Sequence, residues 1–110
     1  MIRELDNNRL EMYEGDTGTV TFKMSGDCDE SSVYVFTIKK TMNDTTPLLS
    51  QTFNTTEFTV VINEEDTNLL KAGDYFWGIK LIRTVAKTND TDTEICTLIG
   101  RGYLKVRKGV

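Results

Sequence analysis

Apolar and polar residues alternate along most of this chain, and turn-forming residues interrupt the alternation at intervals typical of short strands. Leu10 and Met12 define a short first strand that stops at Glu14-Gly15-Asp16. The stretch TGTVTFKMSG then places Val20, Phe22 and Met24 on one face and Thr19, Thr21 and Lys23 on the other, the signature of a half-buried antiparallel strand. After the polar loop GDCDESS, a strand over 33–40 has Tyr34, Phe36 and Ile38 as its inner set. MNDTTP makes the next turn, and Pro47, which has no amide to donate, marks the start of an edge strand in LLSQTF. NTTE turns the chain again, and FTVVI directs Phe58, Val60 and Ile62 inward. The segment 74–85 reads as the longest strand, turned by KTNDTD into a last strand over 93–107. In that last strand Gly100-Arg101-Gly102 predicts a bulge or kink, because glycine leaves the ladder nothing to pack. About seven strands so spaced predict one all-β domain over 1–110, an antiparallel sandwich of two sheets.

The polar stretch before the most apolar run carries its own pattern. Asn63 is placed to cap a short helical turn whose first residues, Glu64, Glu65 and Asp66, suit its positively polarised end. Lys71 and Gly73 complete the stop signal. This turn joins the fifth strand to the sixth, which in an immunoglobulin-like sandwich lie in opposite sheets. Tyr75 then falls where such folds use a tyrosine hydroxyl to bond backbone upstream, with Trp77 two residues later. The alternative is that Tyr75 and Trp77 are large core residues of any sheet.

Composition agrees with strands. Thr, Val and Ile number 17, 8 and 7 against 2 Ala, and β-branched side chains suit a pleated sheet better than a helix. The net charge of −4 argues against a nucleic-acid partner; the basic tail Arg101, Lys105, Arg107 and Lys108 is the local exception and reads as a solvated strand face. MIRELDNNRLE has no apolar core of a signal peptide and no run approaches membrane-spanning length, so the expectation is synthesis in the cytoplasm and no membrane partner. Cys28 and Cys96 fit that setting as free thiols, with a bridge between them as the alternative.

The pattern resembles a family of small immunoglobulin-like proteins of phages and prophages infecting Gram-positive bacteria. It is also loosely similar to the N-terminal domain of phage upper-baseplate proteins. The stretches that carry the resemblance are MYEGDTGTVTFKMSG, YVFTIKKTMNDTTPLLSQTF, FTVVINEEDTNLLKAGDYFWGIKLI and LIGRGYLKV. They share a Gly15-Asp16-Thr17 turn into a strand, a Lys39-Lys40 strand end, and Glu65-Asp66-Thr67 leading to Ala72-Gly73-x-Tyr75. The polar loop around Cys28 and the Thr-rich turn over 87–93 depart from it. The resemblance implies a non-enzymatic, virion-associated structural role in a tail, baseplate or capsid accessory, and it assigns no binding residues.

Candidate chemistry is sparse. The absence of histidine removes Ser-His and Cys-His nucleophile pairs, and two cysteines cannot close a structural zinc site, so no enzyme, metal or cofactor is expected. Two acidic clusters, Asp27, Asp29, Glu30 and Asp90, Asp92, would share one pole of the sandwich. They read as solvated loops, with a calcium site or a paired-carboxylate glycosidase as the alternatives; the glycine-centred calcium-loop pattern is missing, and neither loop has the aromatics of a sugar cleft. One face stands out. Assigning Tyr34, Phe36, Ile38, Tyr75, Trp77, Ile79 and Leu81 to the core leaves Val33, Val35, Phe76 and Ile82 pointing outward. If Cys96, Leu98, Leu104 and Val106 point inward, Ile95 and Ile99 join the outer set. An apolar outer face on one sheet predicts a contact with other phage structural proteins or with a second copy; cover by the N-terminal segment is the alternative. A host-surface carbohydrate-binding module is the other functional reading, and it needs exposed aromatics on a concave patch.

Overall fold

A computed structural model of the chain describes residues 2–24, 32–87 and 90–109, with the backbone alone over 85–87 and 90–92. Strands β1 (Arg3–Leu5), β2 (Arg9–Tyr13), β3 (Gly18–Lys23), β4 (Ser32–Lys39), β5 (Leu49–Phe53), β6 (Glu57–Ile62), β7 (Gly73–Lys87) and β8 (Asp90–Arg107) follow in chain order. They form a six-stranded sheet ordered β1-β2-β8-β7-β4-β5 and a two-stranded sheet of β3 and β6. The chain is an all-β sandwich, and the Pro47 signal indeed precedes an edge strand, β5.

Three features differ from the expected architecture. β1 is an eighth strand among the described residues, joined to β2 through Asn7 and Asn8 at φ of 63° and 57°, left-handed values that asparagine tolerates. β2 pairs with β8 in parallel, so the larger sheet is mixed rather than wholly antiparallel. The longest strand is β8, with 18 residues against 15 in β7.

The core lies where period-two alternation put it. Phe22 of β3 packs at 5.8 Å from Phe36 and 5.2 Å from Trp77, measured between ring centroids. Phe58 of β6 sits 5.6 Å from Tyr34 and stacks on Phe53 at 4.6 Å. β3 therefore lies over β7 and β4, while β6 lies over β4 and β5. Val20, Val60, Ile62, Ile38 and Ile79 complete this buried layer. Each large side chain so buried stabilises the fold by about 1.5–3 kcal/mol.

Between β6 and β7 the chain makes a 3-10 turn, Asp66–Asn68, held by a reciprocal pair of bonds. The Asp66 N–H donates to Asn63 Oδ1 at 3.1 Å, and the Asn63 N–H donates to the Asp66 carboxylate at 3.0 Å. The arrangement is reciprocal as in a capping box, and the Asp66 N–H also reaches Asn63 O at 3.1 Å. Leu70 follows as a fully buried plug.

The β7–β8 ladder is irregular at its centre. Trp77 pairs with Gly102, Ile79 with Ile99, and Lys80 with Thr97, so β8 contributes two more residues than β7 across this stretch. The bulge expected at Gly100–Gly102 is present, and its cause is visible. The indole of Trp77 lies against Gly102, where a Cβ would fall inside the ring, and Trp77 Nε1–H donates to Tyr103 O at 3.1 Å. Beyond the Ser32–Arg83 pairing that ends β4, β7 and β8 pair with each other as far as Lys87 and Asp90. The domain measures 58 × 26 × 26 Å.

Gly102 and Gly100 should respond differently to a methyl group. Gly102→Ala must displace the indole and is expected to cost about 1–3 kcal/mol, with a changed Trp77 fluorescence spectrum. Gly100→Ala meets Thr97 Cγ2 at an ordinary 3.5 Å and should leave the thermal melt within a degree or two of wild type (roughly ±0.5 kcal/mol). Equal losses from both substitutions would mean that backbone freedom, not the indole, demands glycine here.

Candidate interaction face

The turn that precedes β7 fixes how this strand enters the sheet. The Tyr75 hydroxyl donates to Lys71 O at 2.6 Å, the upstream backbone bond of a tyrosine corner. Lys40 Nζ lies 4.4 Å from the centroid of the Tyr75 ring and donates to Asp74 O at 3.3 Å. From the opposite side the Glu14 carboxylate accepts the Ala72 N–H at 2.7 Å, tying the corner to the end of β2. Tyr75 and Trp77 both point into the core, so alternate residues of β7 point out.

Register across the outer face of the six-stranded sheet sorts these residues into rows. Val33 pairs with Ile82, and Ile82 with Ile95, giving an apolar row across β4, β7 and β8. Ile95 is 60% exposed, while Val33, Val35 and Ile82 are partly covered by their neighbours. Val35 sits opposite Lys80, which is opposite Thr97. Gly78 follows and leaves a shallow dent bordered by Thr37, Met42, Phe76 and Lys80. Lys39, Phe76 and Tyr103 form the next row, with the Phe76 and Tyr103 rings tilted against each other at 5.5 Å.

The last row is charged. Arg3, Glu11, Lys105 and Asp74 alternate in sign across β1, β2, β8 and β7. Lys105 meets Asp74 at 3.1 Å, and Glu11 is held by Arg107 at 3.2 Å and Arg3 at 3.6 Å. The bond from Arg107, reinforced by its charge and those of Arg3 and Arg9, keeps the Glu11 carboxyl below its ordinary pKa despite some desolvation. Lys105 and Arg107 of the basic tail are thus neutralised by acids across the sheet.

The six candidate contact residues are therefore not one patch. Val33, Val35, Ile82 and Ile95 gather at one end; Phe76 stands apart beside Tyr103. Ile99 is the correction: it packs against the core, because the extra residue between Gly102 and Ile99 reverses which face the strand presents. A second extra residue, Leu98, restores the parity and is itself exposed rather than inward. Leu104 and Val106 are buried as expected, whereas Cys96 lies beyond the end of the core as an exposed free thiol. Tyr103 was missed, although strict alternation with Leu104 places it outside. The N-terminal segment does not cover the apolar row; β1 and β2 extend the same sheet at its far edge.

Cys28, Asp27, Asp29 and Glu30 lie outside the described residues, as do the side chains of Asp90 and Asp92. Among the described residues no three potential metal ligands cluster, and no helix is long and apolar enough to cross a membrane.

The corner gives a test with a definite pH signature. Burial, with the nearby Glu14 charge, holds the Tyr75 phenol above its ordinary pKa of 10.0. A raised value means that the folded state keeps a proton the unfolded chain loses. The stabilisation is complete below pH 10 and declines as pH rises through the unfolded and then the folded pKa. Tyr75→Phe should cost about 0.5–1.5 kcal/mol at neutral pH, and the gap to wild type should narrow above about pH 10. Denaturant melts that are superimposable at neutral pH would place the hydroxyl in water.

No protein-family model, no curated protein and no solved structure matches the chain.

Proposed function

We propose that this domain is a non-enzymatic docking module of a phage or prophage virion, a tail, baseplate or capsid accessory component. It acts by seating the outer face of its six-stranded sheet on a second copy of itself within a larger assembly. The observation that carries the reading is the outward apolar row of half-buried Val33 and Ile82 with exposed Ile95, aligned across three strands. The opposite sheet presents Thr19, Thr21, Lys23, Glu57 and Thr59 on its outer face with Val61 as the one apolar side chain among them, so that surface is mainly polar. The virion setting rests on the resemblance of the turn and corner stretches to small phage immunoglobulin-like proteins.

The magnitudes favour an assembly over an isolated pair. If Val33, Val35, Ile82 and Ile95 each lose about 50 Å² of exposed surface, the gain is roughly 5 kcal/mol at 25 cal/mol per Å². Association costs an estimated 4–15 kcal/mol, so the row alone yields a weak contact. Repetition around a symmetric particle converts such a contact into a stable one, because later contacts form at high effective concentration.

Light scattering of the purified domain tests the docking. The wild type at high concentration should show weak self-attraction, read from the second virial coefficient, and Ile82→Lys with Ile95→Lys should remove it without altering the far-ultraviolet dichroism or the melt. A wild type with no more self-attraction than the folded double variant would refute the assignment of this face.

A further inference from the structure

The two-stranded sheet has an open edge on each side, and the chain treats the two differently. The Met24 N–H donates to Thr56 O at 2.7 Å, so even-numbered residues of β3 direct their amides and carbonyls at β6. Thr19, Thr21 and Lys23 direct theirs away. On β6 the outward set is Glu57, Thr59 and Val61. Side chains engage that edge at Val61 and Glu57: Gln51 of β5 accepts the Val61 N–H at 3.2 Å and donates to Val61 O at 2.6 Å, and Thr55 Oγ1 donates to Glu57 O at 2.7 Å. Among the described residues neither a strand nor a side chain closes the edge of β3.

The space beside that edge has a floor. Because β3 lies over β7 and β4, its free side looks down on β8 and β2. A groove there is lined by Leu10, Phe22, Trp77 and Ile99, with Glu4 and Arg9 also on its walls. It exists because the N-terminal strands pair with β8 and leave the position next to β3 vacant. Ile99 reaches it through the double bulge.

We propose that the open edge of β3 takes an extended segment of another protein as an added strand. Its backbone bonds to Thr19, Thr21 and Lys23, and one large apolar side chain descends between Leu10 and Ile99. This is β-augmentation at an edge that the fold leaves unguarded. Geometry argues against a second folded copy. A β3 strand brought in by another copy carries its own six-stranded sheet beneath it, at the level that β8, β2 and β1 already occupy. Size argues the same way. A strand of 6 residues is about 20 Å long, and its edge plus one side chain buries far less than the ~1,200 Å² of a stable globular pair. A linear segment, held near by a contact elsewhere, suits such an area. This surface is separate from the outer sheet face and stands or falls independently of it.

A panel of heptapeptides with alternating threonines and a central Val, Ile, Phe or Tyr, titrated into the isotope-labelled full chain, tests the assignment. At least one peptide should shift the amide resonances of Thr19, Thr21 and Lys23 and slow their hydrogen exchange, leaving the β5 edge unmoved. Thr21→Pro removes an N–H that bonds nothing among the described residues, and it should weaken that peptide ~tenfold or more. Should that variant fail to fold, wild-type exchange protection by the peptide decides the matter alone. The proposal is overturned if no peptide moves these amides at millimolar concentration, if shifts fall on β5 instead, or if a folded Thr21→Pro variant binds undiminished. Protection that rises with protein concentration in the absence of peptide would assign the edge to a second copy and overturn it equally.

Discussion

The contact between the Trp77 indole and Gly102 sets the register on which the rest of the sandwich depends. An indole of that size can lie flat against the neighbouring strand where that strand has no side chain, and its N–H is satisfied by the next carbonyl, Tyr103 O. With the ring seated there, Phe22 and Phe36 close over it and join the two sheets. The strand opposite Trp77 and Ile79 then accommodates two surplus residues as bulges. That local irregularity turns Ile99 inward, exposes Leu98, and returns Ile95 to the outer face in line with Ile82 and Val33.

The same packing separates three surfaces with different chemistry. The outer face of the large sheet runs from alternating charges, through the Phe76–Tyr103 pair and the dent at Gly78, to the apolar row. The edge of β6 is closed at Val61 by the Gln51 amide, which copies the two-point bonding of a strand. The edge of β3 is left open above a groove whose floor includes Trp77 and Ile99. A change at Gly102 would therefore be felt at the groove and at the register of the apolar row, as well as in the core.

Much of this was legible from alternation, because a half-buried strand must place one residue in two toward the core. The inward sets of β3, β4, β6 and β7 follow from it directly, and the capped turn with its tyrosine was legible from Asn63, Asp66 and the Gly73–Tyr75 spacing. What alternation cannot encode is which strand is a neighbour, or in which direction. Arg3–Leu5 carries no period-two apolar signal, so β1 was invisible, and the parallel pairing of β2 with β8 is a tertiary choice. A bulge could be expected at Gly100–Gly102, but whether it inserted one residue or two could not, and the fates of Leu98 and Ile99 hang on that difference. Gln51 gave no signal either, since a polar residue in an edge strand ordinarily faces water.

Proton NMR of Gly102 tests the central contact most directly. Aromatic ring currents shield protons held over a ring face, so a Gly102 α-proton seated under the Trp77 indole should resonate well upfield of its random-coil position. That shift should vanish in Trp77→Leu. Gly102 α-protons at ordinary random-coil positions in the folded wild type would mean that the indole is not seated on the strand. The register of β8, and with it the placement of Ile95 and Ile99, would then have to be wrong.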